Sequence, residues 1–197
     1  MRRVAVVGGS CSGKTTLSRE LAAVLGVPHV ELDALHHGPN WNEAPAELMQ
    51  ERVRAALAAA PDGWVVDGNY HGKLGGLVLE QADTAVFLDP PLWTALRRAL
   101  RRTLVRTVTR EELWNGNRER LRHVFTPYWI PTWVVRTHLR YRRLIAERLA
   151  PHEQLEVVHL RSPDAIGRWL QSIQATASTS GSSNGSELQK TPPLRET

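Results

Sequence analysis

Short runs of apolar, mostly β-branched residues recur along the chain, and glycine, proline or aspartate bounds each of them. Short runs that are apolar at nearly every position are typical of strands buried on both faces. A strand with one face in water would instead alternate apolar and polar residues. The predicted strands are 3–7, 29–32, 63–67, 84–88 and 155–160. Their nearly continuous apolar character predicts a parallel sheet that is covered on both faces.

Stretches in which apolar residues recur with helical spacing separate these runs. The predicted helices are 14–25, 44–60, 91–107, 117–124, 132–149 and 163–174. Strands that alternate with helices predict an α/β fold of three layers, with helices on both faces of a five-stranded parallel sheet. No predicted strand falls within 91–149, so this region is expected to be a helical insertion on the sheet.

The composition changes near residue 175, where serine, threonine and glycine replace most of the apolar residues. Such a segment cannot bury enough apolar surface to offset the entropy lost when it is ordered. We therefore expect one domain over 1–174, with a helical lid region at about 97–149, and a disordered tail over 175–197. The chain has 197 residues and 42% hydrophobic content, which is enough for one such core.

One octapeptide carries the strongest chemical signal, since residues 8–15 match the phosphate-binding pattern G-x-x-x-x-G-K-[ST] at every fixed position. It lies between the first predicted strand and the first predicted helix, which is the context that a P-loop NTPase fold requires. Lys14 would neutralise the β- and γ-phosphate oxygens, and Thr15 would offer a hydroxyl group to Mg²⁺. The predicted nucleotide-binding residues are Gly8, Gly9, Ser10, Cys11, Ser12, Gly13, Lys14, Thr15 and Thr16.

Aspartates close three of the other strands, at the sheet edge where ligands bind in such folds. Asp67 is favoured as the magnesium-binding partner of Thr15, because a hydrophobic run closed by aspartate is the pattern that binds Mg²⁺ through water. Asp89 precedes two prolines and a helix, so a capping or turn role is favoured for it. Asp33 is either a turn residue or a carboxylate that accepts a proton from an attacking hydroxyl group.

Positive charge is concentrated between Arg97 and Arg143, although the whole chain has a net charge of only +5. This region has three acidic residues and 13 arginines, at positions 97, 98, 101, 102, 106, 110, 118, 120, 122, 136, 140, 142 and 143. Four of them recur with i, i+4 spacing from 98 to 110 and would repel one another on one helix face unless anions intervene. The pattern predicts an arginine-rich lid in which about two to four arginines contact phosphate; a solvated basic face is the alternative.

The remaining composition limits the possible locations and partners. Cys11 is the only cysteine, and no apolar run approaches the ~20 residues of a membrane span. A cytoplasmic location without a membrane partner is therefore expected. The basic surface also allows a nucleic-acid partner, which is not favoured because no recognition module is visible. A monomer or a homodimer is expected.

The motifs together resemble the adenylate-kinase-like branch of phosphate-loop kinases. Residues 63–68, Gly-Trp-Val-Val-Asp-Gly, are similar to the strand that ends in Asp-Gly in nucleoside monophosphate kinases. Over residues 1 to about 172, the chain resembles small bacterial proteins described as DNA topology modulation proteins or adenylate-kinase-related ATPases. Their signatures occur here at 32–35, 67–70 and 114–119. The resemblance implies a five-stranded sheet, the use of ATP with Mg²⁺, and phosphoryl transfer.

The resemblance also implies catalytic residues beside Lys14. Arg118 would stabilise the transferred phosphoryl group, together with Arg102 and with Arg136 or Arg140. These side chains would act as a lid closes over the nucleotide and excludes water.

Two departures from adenylate kinases bear on the acceptor. Asn69-Tyr70 stands where those enzymes have Phe-Pro-Arg, which argues against AMP. Asp33 resembles the substrate-side aspartate of shikimate and gluconate kinases. The expected activity is therefore Mg²⁺-dependent transfer of the γ-phosphoryl group of ATP to a nucleotide or a small hydroxylated metabolite. The alternatives are a DNA-associated ATPase, whose binding would fall steeply with salt, and a regulatory ATPase that a protein partner stimulates.

Overall fold

A parallel sheet of five strands lies at the centre of the protein. The computed structural model describes residues 1–109, 112–117 and 130–182. The strands are β1 (Arg3–Gly8), β2 (His29–Glu31), β3 (Trp64–Asp67), β4 (Thr84–Leu88) and β5 (Glu156–Leu160). They run parallel in the order β2-β3-β1-β4-β5. The predicted fold class is confirmed, and no strand boundary differs from its predicted position by more than one residue.

Helices connect the strands and cover the sheet. They are α1 (Lys14–Leu25), α2 (Leu32–His36), α3 (Ala46–Ala58), α4 (His71–Leu74), α5 (Leu92–Thr109), α6 (Ile130–Leu149) and α7 (Pro163–Ser182). Two short 3₁₀ turns lie at Pro39–Trp41 and Trp114–Gly116. Within the described ranges, no helix is both long enough and apolar enough to cross a lipid bilayer.

The core lies on both faces of the sheet, as the apolar runs predict. On one face, side chains of α3 and α6 pack against alternate residues of β1, β3 and β4, with Met49 and Val53 fully buried. On the other face, α1 and α7 pack against the intervening strand residues, and Leu21 of α1 is fully buried. This arrangement leaves the carboxyl ends of the central strands as the edge on which polar residues can meet.

The end of the second strand and the length of the last helix differ from the sequence-based prediction. Leu32 begins α2 instead of ending the second strand, so Asp33 lies in the first turn of a short helix. Helix α7 continues to Ser182, eight residues past the predicted end at 174, so 175–182 are helical where a disordered tail was expected. The rest of that tail, 183–197, lies outside the described residues, as does the predicted helix at 117–124 beyond Asn117.

Asp89 links secondary-structure elements, and its side chain does not follow the predicted capping role. Its carboxylate is almost fully buried and lies 2.9 Å from Arg142 Nε and 3.1 Å from His159 Nε2. Arg142 belongs to α6 and His159 to β5. The carboxylate therefore joins α6 to the edge of the sheet, because a buried charge is stable only when paired.

Candidate functional site

The phosphate-binding loop lies between β1 and α1 and has the backbone conformation that its glycines allow. Gly13 has φ of +104°, and a Cβ atom there would lie 3.1 Å from Arg98 Nη1. At Gly8, a Cβ atom would lie 2.5 Å from the carbonyl oxygen of Leu88. Substitution of either glycine would therefore force the loop to move. Cys11 also has a positive φ, 58°, and packs against Ala95 and Ala99 of α5 and Val134 of α6.

Lys14 crosses this loop from the first turn of α1. Its ammonium group donates to the carbonyl oxygens of Gly8, at 3.1 Å, and Gly9, at 3.0 Å. Desolvation lowers the pKa of Lys14 below its ordinary value, while the charges of Asp33 and Asp67 act in the opposite direction. The ammonium group thus lies between the loop and two carboxylates, where the negative charge of a phosphate would be favourable.

Thr15 and Asp67 meet at the carboxyl ends of β1 and β3, as predicted for a metal site. The Thr15 hydroxyl group donates to Asp67 Oδ2 at 2.7 Å, and His29 Nε2 lies 3.1 Å from Asp67 Oδ1. Asp67 is 2% exposed. One hydroxyl group and one carboxylate are oxygen donors of the kind that Mg²⁺ prefers, so these residues fit that ion. No group of three or more His, Cys, Asp or Glu side chains in the described ranges could ligate a metal, so a Mg²⁺ ion here would depend on nucleotide oxygens and water.

Asn69 fixes the start of the loop from the end of β3. Its side-chain amide donates to the carbonyl oxygen of Gly8, and its Oδ1 accepts from the Gly8 N–H group at 3.3 Å. In the sequence, Asn69 belongs to the signature at 67–70 and to the segment that differs from adenylate kinases. No local pattern indicates this contact, because the two residues are separated by 61 positions.

Asp33 forms a second polar centre in the same cleft. The Tyr70 hydroxyl group donates to Asp33 Oδ1 at 2.5 Å. Burial and the neighbouring Asp33 charge raise the pKa of Tyr70, so its hydroxyl group stays protonated and remains a donor. Asp33 Oδ2 accepts no hydrogen bond from the described residues.

Arginines of α5 line the same cleft as Asp33. Arg98, Arg102 and Arg106 all line the cleft, as the i, i+4 pattern predicts. Arg98 Nη1 donates to the Ser12 carbonyl oxygen at 2.7 Å, which links α5 to the phosphate-binding loop. Arg102 Nε is buried and has no hydrogen-bond partner in the described part of the chain.

The other predicted arginines have different positions. Arg136 and Arg140 are exposed on α6 and are not among the residues that line the cleft. Arg110 and Arg118 lie outside the described residues. The structure therefore brings Arg102 towards Lys14, whose pKa it lowers further, but does not bring Arg136 there.

An aromatic cluster lies near Asp33 in the same cleft. The rings of His37 and Trp114 are stacked at 5.8 Å between centroids, and Trp41 meets His37 edge-on at 5.4 Å. Asn117, which is 3% exposed, accepts from the Trp41 N–H group at 2.8 Å and donates to the Gly38 carbonyl oxygen at 2.9 Å. The two 3₁₀ turns are thereby fixed to each other across the mouth of the cleft.

One cleft is lined by Lys14, Thr15, Asp33, Tyr70, the three arginines of α5 and the two tryptophans, and its volume is about 1380 Å³. This exceeds the ~300–1000 Å³ of a typical small-molecule site. Lys14 lies near both Asp33 and Arg102, since the charges of both act on its pKa. The cleft is thus large enough for two ligands that meet near Lys14 and Asp33.

Comparison with solved structures identifies the fold. A shikimate kinase from Acinetobacter baumannii in complex with shikimate has a TM-score of 0.53 and 17% identity, over 96% of this chain and 96% of that one. A shikimate kinase from Bacteroides thetaiotaomicron has a TM-score of 0.50 and 14% identity, over 90% of this chain and 98% of that one. A gluconokinase from Sinorhizobium meliloti 1021 has a TM-score of 0.49 and 17% identity, over 95% and 98%.

No protein-family model and no curated protein sequence matches the chain. At these identities the two shikimate kinases show the fold alone, which is that of the P-loop kinases.

Proposed function

We propose that the protein is a kinase that transfers the γ-phosphoryl group of ATP to a hydroxyl group of a small molecule, with Mg²⁺ as cofactor. One observation carries the proposal: a single cleft is lined by residues of the phosphate-binding loop, by Thr15, which donates to Asp67, and by a second carboxylate, Asp33, whose charge acts on Lys14. A site for hydrolysis alone has no need of a separate carboxylate with a free oxygen and a large adjoining pocket. The kinase fold of the neighbours agrees with this function.

The nucleotide side of the reaction is assigned to the loop and to α5. The loop N–H groups and Lys14 bind the phosphates, since both supply positive charge that needs no rearrangement. Arg102 faces the same space with an unpaired Nε atom, and we assign it to the charge that develops on the transferred phosphoryl group. Arg118 shares this role in our proposal, while Arg136 would need α6 to move before it could contribute.

Thr15 and Asp67 are assigned to Mg²⁺. When bound, the ion neutralises phosphate charge and stabilises the charge that develops during transfer. Asp67 is fixed by hydrogen bonds from Thr15 and His29, so its carboxylate is oriented before the ion binds.

The acceptor side is assigned to Asp33 and Tyr70. Tyr70 fixes one oxygen of the Asp33 carboxylate, and the other can accept the proton of the attacking hydroxyl group. The base then lies in the same cleft as Lys14, so that the acceptor and the nucleotide can be bound next to each other.

A screen for ATP consumption tests this function. Purified protein with Mg²⁺ is incubated with neutral and acidic hydroxylated metabolites, nucleoside monophosphates or DNA, and ADP is measured. We expect ADP formation to rise with a hydroxylated compound and not with DNA. Stimulation by DNA alone would contradict the proposal and support the DNA-associated ATPase. The Lys14→Ala protein serves as the blank for contaminating kinases.

Arg102 gives a second test, with an adjacent arginine as matched control. Arg102→Ala is expected to lower kcat by about 10²-fold with a smaller change in the KM for ATP, because its charge acts on the transferring group. Arg101 is exposed and does not line the cleft, so Arg101→Ala should leave both constants unchanged. Steady-state kinetics with the acceptor from the screen measure both. Equal effects of the two substitutions would contradict the assigned role.

A further inference from the structure

Two carboxylates, Asp33 and Glu43, line the cleft around Asp33, which is unusual for a site that binds an anion. We call this part of the cleft the acceptor wall, formed by Asp33, His37, Trp41, Glu43, Tyr70 and Trp114. Lys14 and Lys73 lie close to these residues. The charge of Asp33 acts on Lys14, whose ammonium group is bound to the Gly8 and Gly9 carbonyl oxygens of the loop. The Lys73 ammonium group is bound to Glu43 Oε2 at 3.1 Å and to the Ala44 carbonyl oxygen at 2.9 Å. Lys73 also lowers the pKa of Glu43, so that carboxylate stays charged.

A ligand with a phosphate or carboxylate group would therefore face two carboxylates, Asp33 and Glu43, and two lysines whose ammonium groups are already bound within the protein. The described arginines of the cleft that contact or face the phosphate-binding loop are on α5, at the nucleotide side. Since like charges placed together in a binding site repel one another, the acceptor wall disfavours anionic acceptors.

Its hydrogen-bonding groups are instead suited to hydroxyl groups. Burial is the main cause that lowers the pKa of His36, whose ring lies 4.5 Å from the Tyr70 ring, so this imidazole is neutral at pH 7. The Nδ1 atoms of His36 and His37 are both buried and have no hydrogen-bond partner in the described part of the chain. Buried polar atoms are rarely left unpaired, so these two nitrogens point to a ligand with several hydroxyl groups.

The aromatic rings add a flat apolar surface beside these polar atoms. Trp41 is 37% exposed in the cleft and has a φ of 60°, a backbone conformation that is unfavourable for a bulky residue. The hydrogen bond from its N–H group to buried Asn117 maintains that conformation. Strain of this kind persists where it positions a side chain for function, and here it presents an indole beside Asp33.

From these contacts we propose that the acceptor is an uncharged ring compound with several hydroxyl groups, such as a neutral sugar, a cyclitol or a nucleoside. This inference rests on the proposed function. The ring packs against Trp41 and Trp114, its hydroxyl groups bind Asp33 and the two histidines, and no phosphate or carboxylate group is needed for recognition. The proposed acceptor is uncharged, whereas the neighbouring shikimate kinase was solved with shikimate, an acid. The fold alone would therefore suggest a different acceptor.

Matched pairs of charged and uncharged compounds test the inference by calorimetry on the full chain. The pairs are methyl shikimate and shikimate, glucose and gluconate, and adenosine and AMP, each titrated with Mg²⁺ and a non-hydrolysable ATP analogue present. We expect the neutral member of at least one pair to bind, and to bind at least about tenfold more tightly than its anionic partner. The pair that responds distinguishes a cyclitol-like ring, a sugar and a nucleoside. Tighter binding of an anionic member, or no binding of any neutral compound, would overturn the inference.

Two substitutions link the result to the acceptor wall. Trp41→Leu should weaken binding of the neutral compound by about tenfold, because stacking on an aromatic ring is lost. Glu43→Gln releases Lys73 from its ion pair and should raise the affinity for the anionic member by about threefold, a modest effect because Glu43 is largely exposed. Glu47→Gln, an exposed residue of α3 outside the cleft, is the control.

The same samples separate this inference from the proposed function. Titration of the ATP analogue alone measures the nucleotide site. If the analogue binds but the anionic member of a pair is preferred, the acceptor inference fails and the kinase proposal stands. If the analogue does not bind, the kinase proposal fails as well.

Discussion

Replacement of Lys14 by alanine is expected to abolish measurable ATP binding and to lower turnover by at least about 10²–10³-fold. The Lys14 ammonium group spans the loop between the Gly8 and Gly9 carbonyl oxygens, next to the charges of Asp33 and Asp67. Without it, the phosphates would face two carboxylates with less positive charge to offset them. Calorimetric titration with Mg²⁺ and the ATP analogue measures the loss of binding.

The fold should survive this substitution. The pKa of Lys14 is lowered in the folded protein, which means that its charged form is disfavoured there relative to the unfolded chain. Removal of the charge should therefore not lower Tm, and Lys14→Met, which keeps most of the apolar stem, should behave in the same way. Tight ATP binding by both variants would contradict the assignment of the loop. A fall in Tm would show that the hydrogen bonds of Lys14 to the loop outweigh its desolvation.

Replacement of Asp33 by asparagine is expected to lower kcat by about 10²–10⁴-fold, the contribution of a positioned general base, while ATP binding is retained. The amide is close in shape to the carboxylate and can still accept the hydrogen bond from Tyr70 through its oxygen. It cannot take up the proton of the attacking hydroxyl group. Single-turnover kinetics with saturating acceptor, together with titration of the ATP analogue, measure the two effects separately.

Asp62 provides the matched control for Asp33, because it is an exposed aspartate that does not line the cleft. Asp62→Asn should leave both binding and turnover unchanged. Unchanged turnover of the Asp33→Asn protein would assign Asp33 to the start of α2 alone, which is the turn role that the sequence also allowed. Loss of ATP binding would instead place Asp33 in the nucleotide site.

Much of the fold could be predicted because its determinants are local in sequence. Each strand is a short apolar run with its own terminating residue, and its boundaries follow from a few neighbouring residues. The loop motif fixes the order of β1 and α1, and the closing aspartates fix which residues reach the carboxyl edge of the sheet. The meeting of Thr15 and Asp67 follows from that edge, since both flank adjacent parallel strands.

The parts of the site that sequence reasoning missed depend on contacts between distant residues. Asn69 binds Gly8 across 61 positions, and Asn117 binds Trp41 across 76. Neither contact can be predicted from the periodicity or the composition of the sequence. A signal was present only in the dipeptides Asn40-Trp41 and Trp114-Asn115, where asparagine adopts a positive φ within a 3₁₀ turn, as this residue does more readily than most.

Arginine spacing predicts a helix face but not which face meets the ligand. One side of α5 carries Arg98, Arg102 and Arg106, which line the cleft. The opposite side is exposed, with Leu104 and Val108 largely in solvent. Arg136 has the same type of surroundings in sequence yet lies exposed on α6. The three arginines of α5 that line the cleft are partly buried, whereas Arg136 is exposed. This difference depends on how α5 and α6 pack together, which the charge pattern does not show.

The stoichiometry of the reaction tests the central claim most directly. ADP and phosphorylated acceptor are measured in the same reaction by mass spectrometry, with Mg²⁺ and the acceptor that the screen and the titrations identify. A cleft built for transfer should yield about one phosphorylated acceptor for each ADP, with little inorganic phosphate. Formation of ADP and inorganic phosphate in equal amounts, at a rate that no hydroxyl compound changes, would contradict the assignment of Asp33 and the acceptor wall to phosphoryl transfer.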